Sequence, residues 1–211
     1  MTNASNIAGR RKIGRSIALE AGKALYKDKT VFLLPMFSFI AHIAVCSIAA
    51  LAWILSIPFM DTNPNGTSIV NTVVGILVVF AFASINVFTQ AAVMNMANET
   101  FEGRNPSINS SIVSVFKHTG SLAGLAAIET TVGLILRALQ RSAGNNLILR
   151  ALTSIVSFVG GLAWAVASYF AIPFIIFNEE KPFTAIKKSA QLIKSKWGAA
   201  LRVNVLVGAV S

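Results

Sequence analysis

Carboxylates are scarce in this sequence. Eight acidic residues stand in 211, against 18 lysines and arginines, and charged residues make up 12% of the chain. A soluble domain carries about twice that charged fraction, so the charges are too few to cover a surface that faces water. Cysteine is rarer still. Cys46 is alone, which excludes a disulfide framework within the chain. It lies in an apolar run, where a thiol packs as a small hydrophobe, and Val45 before it does not suit a lipoprotein cleavage site. The two histidines, His42 and His118, lie far apart, and neither has metal-ligand spacing with another His, Cys or acid. Walker, G-x-S-x-G and dinucleotide motifs are missing. Adjacent Glu179 and Glu180 diverge on a helix and read as capping residues. The sequence therefore supplies no catalytic, metal-binding or cofactor-binding residue, and an enzyme is not expected.

Apolar residues are abundant: 55% of the chain, with a mean hydropathy of +0.68. They are gathered into runs. A helix crosses about 30 Å of hydrocarbon with roughly 20 residues, and the runs at 31–57, 69–97, 121–139 and 151–177 are long enough. A fifth run starts at 199 and is still apolar at 211. Lipid tolerates no unpaired backbone, and the runs are too continuous for barrel strands. The expected fold class is all-α: an integral membrane helical bundle of four complete transmembrane helices and the start of a fifth. The whole chain, 1–211, reads as one transmembrane domain truncated at its C-terminus. Residues 1–29 are polar and basic with no apolar core, so no cleaved signal peptide is expected.

Basic residues orient the spans, because positive charge is retained on the cytoplasmic side. Seven precede the first span, two (Arg104 and Lys117) lie between spans two and three, and six follow span four. The opposite side has none in 58–68 and three around the second outer loop: Arg137, Arg141 and Arg150. This predicts a cytoplasmic N-terminus in a bacterial plasma membrane. These three arginines run against the asymmetry. The pI of about 10.3 is explained by topology, and no aromatic-basic nucleic-acid motif is present.

Between the apolar runs lie amphipathic segments. Phe183, Ile186, Ala190, Ile193 and Trp197 recur at helical spacing, with Lys187, Lys188, Lys194 and Lys196 off that stripe or at its edges. A helix over 183–197 of this kind lies in the membrane interface. Its lysines are candidate contacts to anionic lipid headgroups, each contributing on the order of 1 kcal/mol. Ile13, Ile17, Ala21 and Ala24, and then Ile108, Ile112 and Val115, repeat the spacing before spans one and three. The chain thus reads as a repeated unit of interfacial helix and transmembrane hairpin.

The run SYFAIPFIIFNEEKPFTAIKKSAQLIKSKWG, residues 168–198, resembles a motif of polytopic, six-span bacterial membrane families of unknown function. It is similar in part to the membrane domain attached to some glycerophosphodiester phosphodiesterases. Pro173, Glu179, Ala185, Ser189, Lys196, Trp197 and Gly198 carry the resemblance. It implies six spans with interfacial helices and no chemistry, since the catalytic phosphodiesterase domain has no counterpart here.

One acid lies deep in a span. A charge at the centre of a membrane helix costs about 2.5–3.5 kcal/mol on insertion scales, so such residues usually face the bundle. Measured from the midpoints of their spans, Glu129 lies about 1–2 Å, His42 about 3 Å and Asn86 about 4–5 Å toward the cytoplasm. These three form a candidate intramembrane polar cluster. The alternative is a Glu129 bonded to a nearby Thr or backbone carbonyl. Gly120 and Gly124 form a GxxxG that packs helices within the chain or against a membrane-protein partner or second copy. Two functions follow: a structural or accessory membrane component, or a small-solute or lipid transporter built on the Glu129 cluster.

Overall fold

The computed structural model describes residues 33–57, 64–142, 144 and 146–208, with the side chains of 64, 65, 67, 68 and 196–208 excepted. The segment around Ile13–Ala24 and the side chains of Lys196 and Trp197 lie outside the described residues. Among the described residues the protein is all-helical: α1 Leu33–Ser56, α2 Pro64–Phe101, α3 Ile108–Lys117, α4 Thr119–Arg141, α5 Leu147–Asn178 and α6 Pro182–Gly208. Four of these, α1, α4, α5 and the Ile69–Phe101 part of α2, are long and apolar enough to cross a membrane.

The helices outrun the apolar segments that seeded them. α2 continues for several polar residues beyond 69–97 at each end, and α5 begins at Leu147 rather than 151. Hydropathy marks where a helix leaves the apolar zone; the backbone needs only continued hydrogen bonding, which Asn, Thr and Glu do not interrupt. For the same reason the expected division between an interfacial helix at 183–197 and a span from 199 is not a break. Both belong to α6, which is continuous from Pro182 to Gly208.

The helix ends follow capping chemistry. Pro35 sits in the first turn of α1, where its missing N–H has no intrahelical partner to lose. The Asn146 side chain accepts from the Ile148 and Leu149 N–H groups at 3.1 and 3.2 Å and caps α5. Glu179 ends α5 in the left-handed region at φ 55, a position that favours glycine. There the Glu180 N–H turns back to the Phe174 carbonyl at 3.1 Å. Only His118 separates α3 from α4.

The packing is uneven along the bundle. Met96, Leu122, Leu125, Ile172 and Ile175 are fully buried, together with Ala91, Ala126, Ala171 and Ala185. They lie where the second half of α2, the first half of α4, the second half of α5 and the start of α6 meet. α1 packs chiefly on α2.

The α5–α6 joint explains much of the resembling motif. Small residues at 185 and 189, one turn apart, let α6 approach α5 closely, and both are fully buried. The Ser189 hydroxyl donates to the Ala167 carbonyl of α5 at 2.6 Å. The packed face of α6 therefore runs through Ala185, Ile186 and Ser189, while Phe183 and Ala190, expected in the apolar stripe, are exposed. Within the helix the contact is made by small residues, with Ile186 the one described member of the apolar stripe packed against the core. Lys187 and Lys194 are exposed, and Lys188 pairs with Glu180.

Candidate functional site

A cavity of about 810 Å³ lies among α2, α4 and α5. Helical periodicity brings each wall together. On α2, Phe82, Asn86 and Gln90 are four residues apart and share a face; on α4, Glu129, Gly133 and Arg137 do the same. On α5 the wall is Leu162, Ala165, Ser168 and Tyr169, at three- and four-residue spacing. Gly133 leaves open space: a Cβ built there meets no neighbour within 4 Å.

The polar groups are distributed over all three walls. Ser168 of α5 is buried and lines the cavity with Glu129 of α4. Its hydroxyl donates to the Ala165 carbonyl at 3.3 Å. Trp164 lines the cavity as well, and its indole Nε1–H is buried with no protein partner among the described residues. Pro173, one turn beyond Tyr169, lacks the N–H that would normally bond the Tyr169 carbonyl. The threonines beside Glu129 are otherwise engaged: Thr130 and Thr131 donate to the carbonyls of Ala126 and Ala127 at 2.8 and 2.9 Å. The Glu129 side chain is thus turned toward α5 and the cavity.

Of the three residues assigned to one depth, Asn86 and Glu129 line the same cavity and His42 does not. No described residue of α1 lines the cavity; α1 reaches only the back of its α2 wall, at Phe82. The His42 ring meets Phe82 edge-on, with centroids 4.9 Å apart, and its Nδ1 lies 2.7 Å from the Ser38 carbonyl. Depth along a helix fixes a layer but not an azimuth, so a residue on the wrong helix can share the layer and miss the site.

A second polar cluster joins α2 to α3. Glu99 is buried and accepts from the Ser107 N–H at 3.1 Å and the Ser110 hydroxyl at 3.0 Å. Asn95 Nδ2 lies 3.4 Å from both Glu99 Oε1 and the Ser111 hydroxyl. A carboxylate at the first turn of α3 complements the positive end of its dipole. The sequence reading missed Glu99 because the cap is supplied eight residues upstream, on another helix. A local capping box sits three residues from its partner.

Among the described residues, no group of three or more His, Cys, Asp or Glu side chains is placed to hold a metal ion. The chain belongs to a family of unknown function, DUF6159, whose model matches residues 69–211. The matched region contains the cavity walls, the Glu99 cluster and the α5–α6 joint. No curated protein and no solved structure matches the chain, so no link to the glycerophosphodiester phosphodiesterases is shown.

Proposed function

We propose that the protein is a multi-pass membrane protein that takes a small amphipathic solute or lipid into the cavity among α2, α4 and α5, as the binding step of transport. The observation that supports this reading is the cavity itself. It opens among helices long and apolar enough to cross a membrane, and Asn86, Gln90, Glu129, Trp164 and Ser168 line it. Ligand sites are mostly apolar clefts with a few convergent polar groups, and an ionisable residue inside a span is a functional candidate by default. The N-terminus and residues 178–198 face the cytoplasm in this reading, with the α1–α2 and α4–α5 turns outside. The resemblance to the phosphodiesterase-linked membrane domain adds an arrangement of helices and no chemistry.

Thiol labelling tests the reading. In a Cys46→Ser background in proteoliposomes, Gly133→Cys is expected to react with a membrane-impermeant, water-soluble thiol reagent. Ile155→Cys, on the exposed apolar face of α5, is expected to resist it. Equal resistance at both positions would show a dry interior and overturn the reading.

An accessory role draws on a different observation. α1 packs chiefly on α2 and leaves Phe39, Ile48, Trp53 and Leu55 exposed. The exposed thiol of Cys46 lies on the same helix. Copper-catalysed Cys46–Cys46 crosslinking between copies in native membranes would favour a homo-oligomeric component.

A further inference from the structure

The three arginines that run against the charge asymmetry of the chain come together in space. Arg137 and Arg141, one turn apart at the end of α4, and Arg150, in the first turn of α5, line one open groove of about 420 Å³ with Gln140 and Gly144. Gly144 makes the short turn between the helices in the left-handed region, at φ +52. Three guanidinium groups in one groove repel one another. Among the described residues no carboxylate pairs with any of them; the ion pairs are Arg104–Glu102 and Lys188–Glu180. Among the described residues the groove lacks a counter-charge, and an anion would supply one.

We propose that this groove binds the phosphate of an anionic phospholipid headgroup; the proposal rests on the cavity reading, since Arg137 lines both the groove and the cavity. The guanidinium fork matches a phosphate bidentately. The position selects a lipid over a free anion. The groove lies at the shared end of two candidate spans, α4 ending at Arg141 and α5 starting at Leu147. Leu139, Leu147 and Ile148 beside it are exposed apolar side chains, which suit acyl chains and give inorganic phosphate nothing. Arg137, about 6 Å further into the span than Arg141, continues the groove into the cavity. A headgroup held there leaves its tails along the apolar cavity wall of Val79, Phe82 and Leu162.

The experiment uses the full chain in phosphatidylcholine nanodiscs doped with phosphatidylglycerol, with retained lipid counted by native mass spectrometry. The expected result is preferential retention of phosphatidylglycerol, weakened about fivefold for each arginine changed to Gln. Arg→Lys changes should keep part of it, and Arg104→Gln, a charge control elsewhere, should leave it intact. Equal retention of both lipids, or retention indifferent to the arginines, would overturn the proposal. Displacement of the lipid by millimolar inorganic phosphate as effective as that by short-chain phosphatidylglycerol would assign a free-anion site and overturn the lipid assignment. All three side chains are exposed, so the single variants should fold; if the triple variant does not, the singles carry the test. Gly133→Cys labelling in the same variants separates the two readings: if it persists after lipid selectivity fails, the cavity stands and its ligand class falls.

Discussion

The two ends of the bundle differ in what their helices can use to hold one another. At one end the second half of α2, the start of α4, the second half of α5 and α6 meet over Ala91, Ala126, Ala171, Ala185 and Ser189, all fully buried. At the other, the second half of α1, the first half of α2 and the first half of α5 present Ile, Val, Leu and Phe, most of them exposed. The bulkier, more hydrophobic end is the looser one. In lipid an apolar side chain gains little from leaving the solvent, because acyl chains are as apolar as leucine. Association there depends on close backbone approach and on hydrogen bonds, which small residues and hydroxyls supply. The contrast is the one expected of a protein whose solvent is hydrocarbon at its centre.

The largest break in this contrast should come from truncation. Ile172→Ala, at a fully buried site, is expected to cost about 2–5 kcal/mol. Ile155→Ala, on the bare face of the same helix, should stay within about 0.5 kcal/mol. Denaturant titration in detergent micelles reads both; equal losses would erase the distinction between the two ends.

Gly124 sharpens the comparison within one motif. A Cβ there would stand 2.9 Å from the Pro182 ring, whereas one on Gly120 meets nothing within 4 Å. Gly124→Ala is therefore expected to destabilise by about 1–3 kcal/mol, and Gly120→Ala to be neutral or to gain up to about 1 kcal/mol of helix propensity. Equal behaviour of the two in thermal unfolding would mean that α6 does not seat on α4 through this glycine.

The smallest effect tests the joint rather than the core. Glu179 holds a left-handed conformation that costs a non-glycine residue about 1–2 kcal/mol. Glu179→Gly should raise the unfolding midpoint through that relief, partly offset by the freedom glycine gains in the unfolded chain. A fall in the midpoint would point to a role for the carboxylate itself.

Much of the helix content was legible in sequence, because unbroken apolar runs near 20 residues have few solutions in lipid. The site was legible only along the helix axes. Asn86 and Glu129 are conspicuous as polar residues in greasy company, and they face one cavity; His42 is equally conspicuous but belongs to a helix that does not border it. Trp164 passed as one more hydrophobe, since nothing in its neighbours shows that its N–H lacks a partner. Glu99 escaped because its cap depends on how α3 folds back on α2. Each of these turns on which helix faces which, and periodicity within one helix carries no such information.

The length of α2 has a mechanical consequence. Its 38 residues reach about 57 Å at 1.5 Å of rise each, against about 30 Å of hydrocarbon. Tilting does not absorb the excess: at 40°, the steep end of the observed range, α2 would still span about 44 Å along the bilayer normal. In the membrane-spanning reading proposed above, part of it stands clear of the oil, and the end carrying Asn95 and Glu99 is the one buttressed by α3. On that reading the helix is a mast stepped in the membrane and stayed at one wet end. In a thicker bilayer the waterline would climb that mast toward the Glu99 stay, so the bilayer's own thickness would become a load on α3.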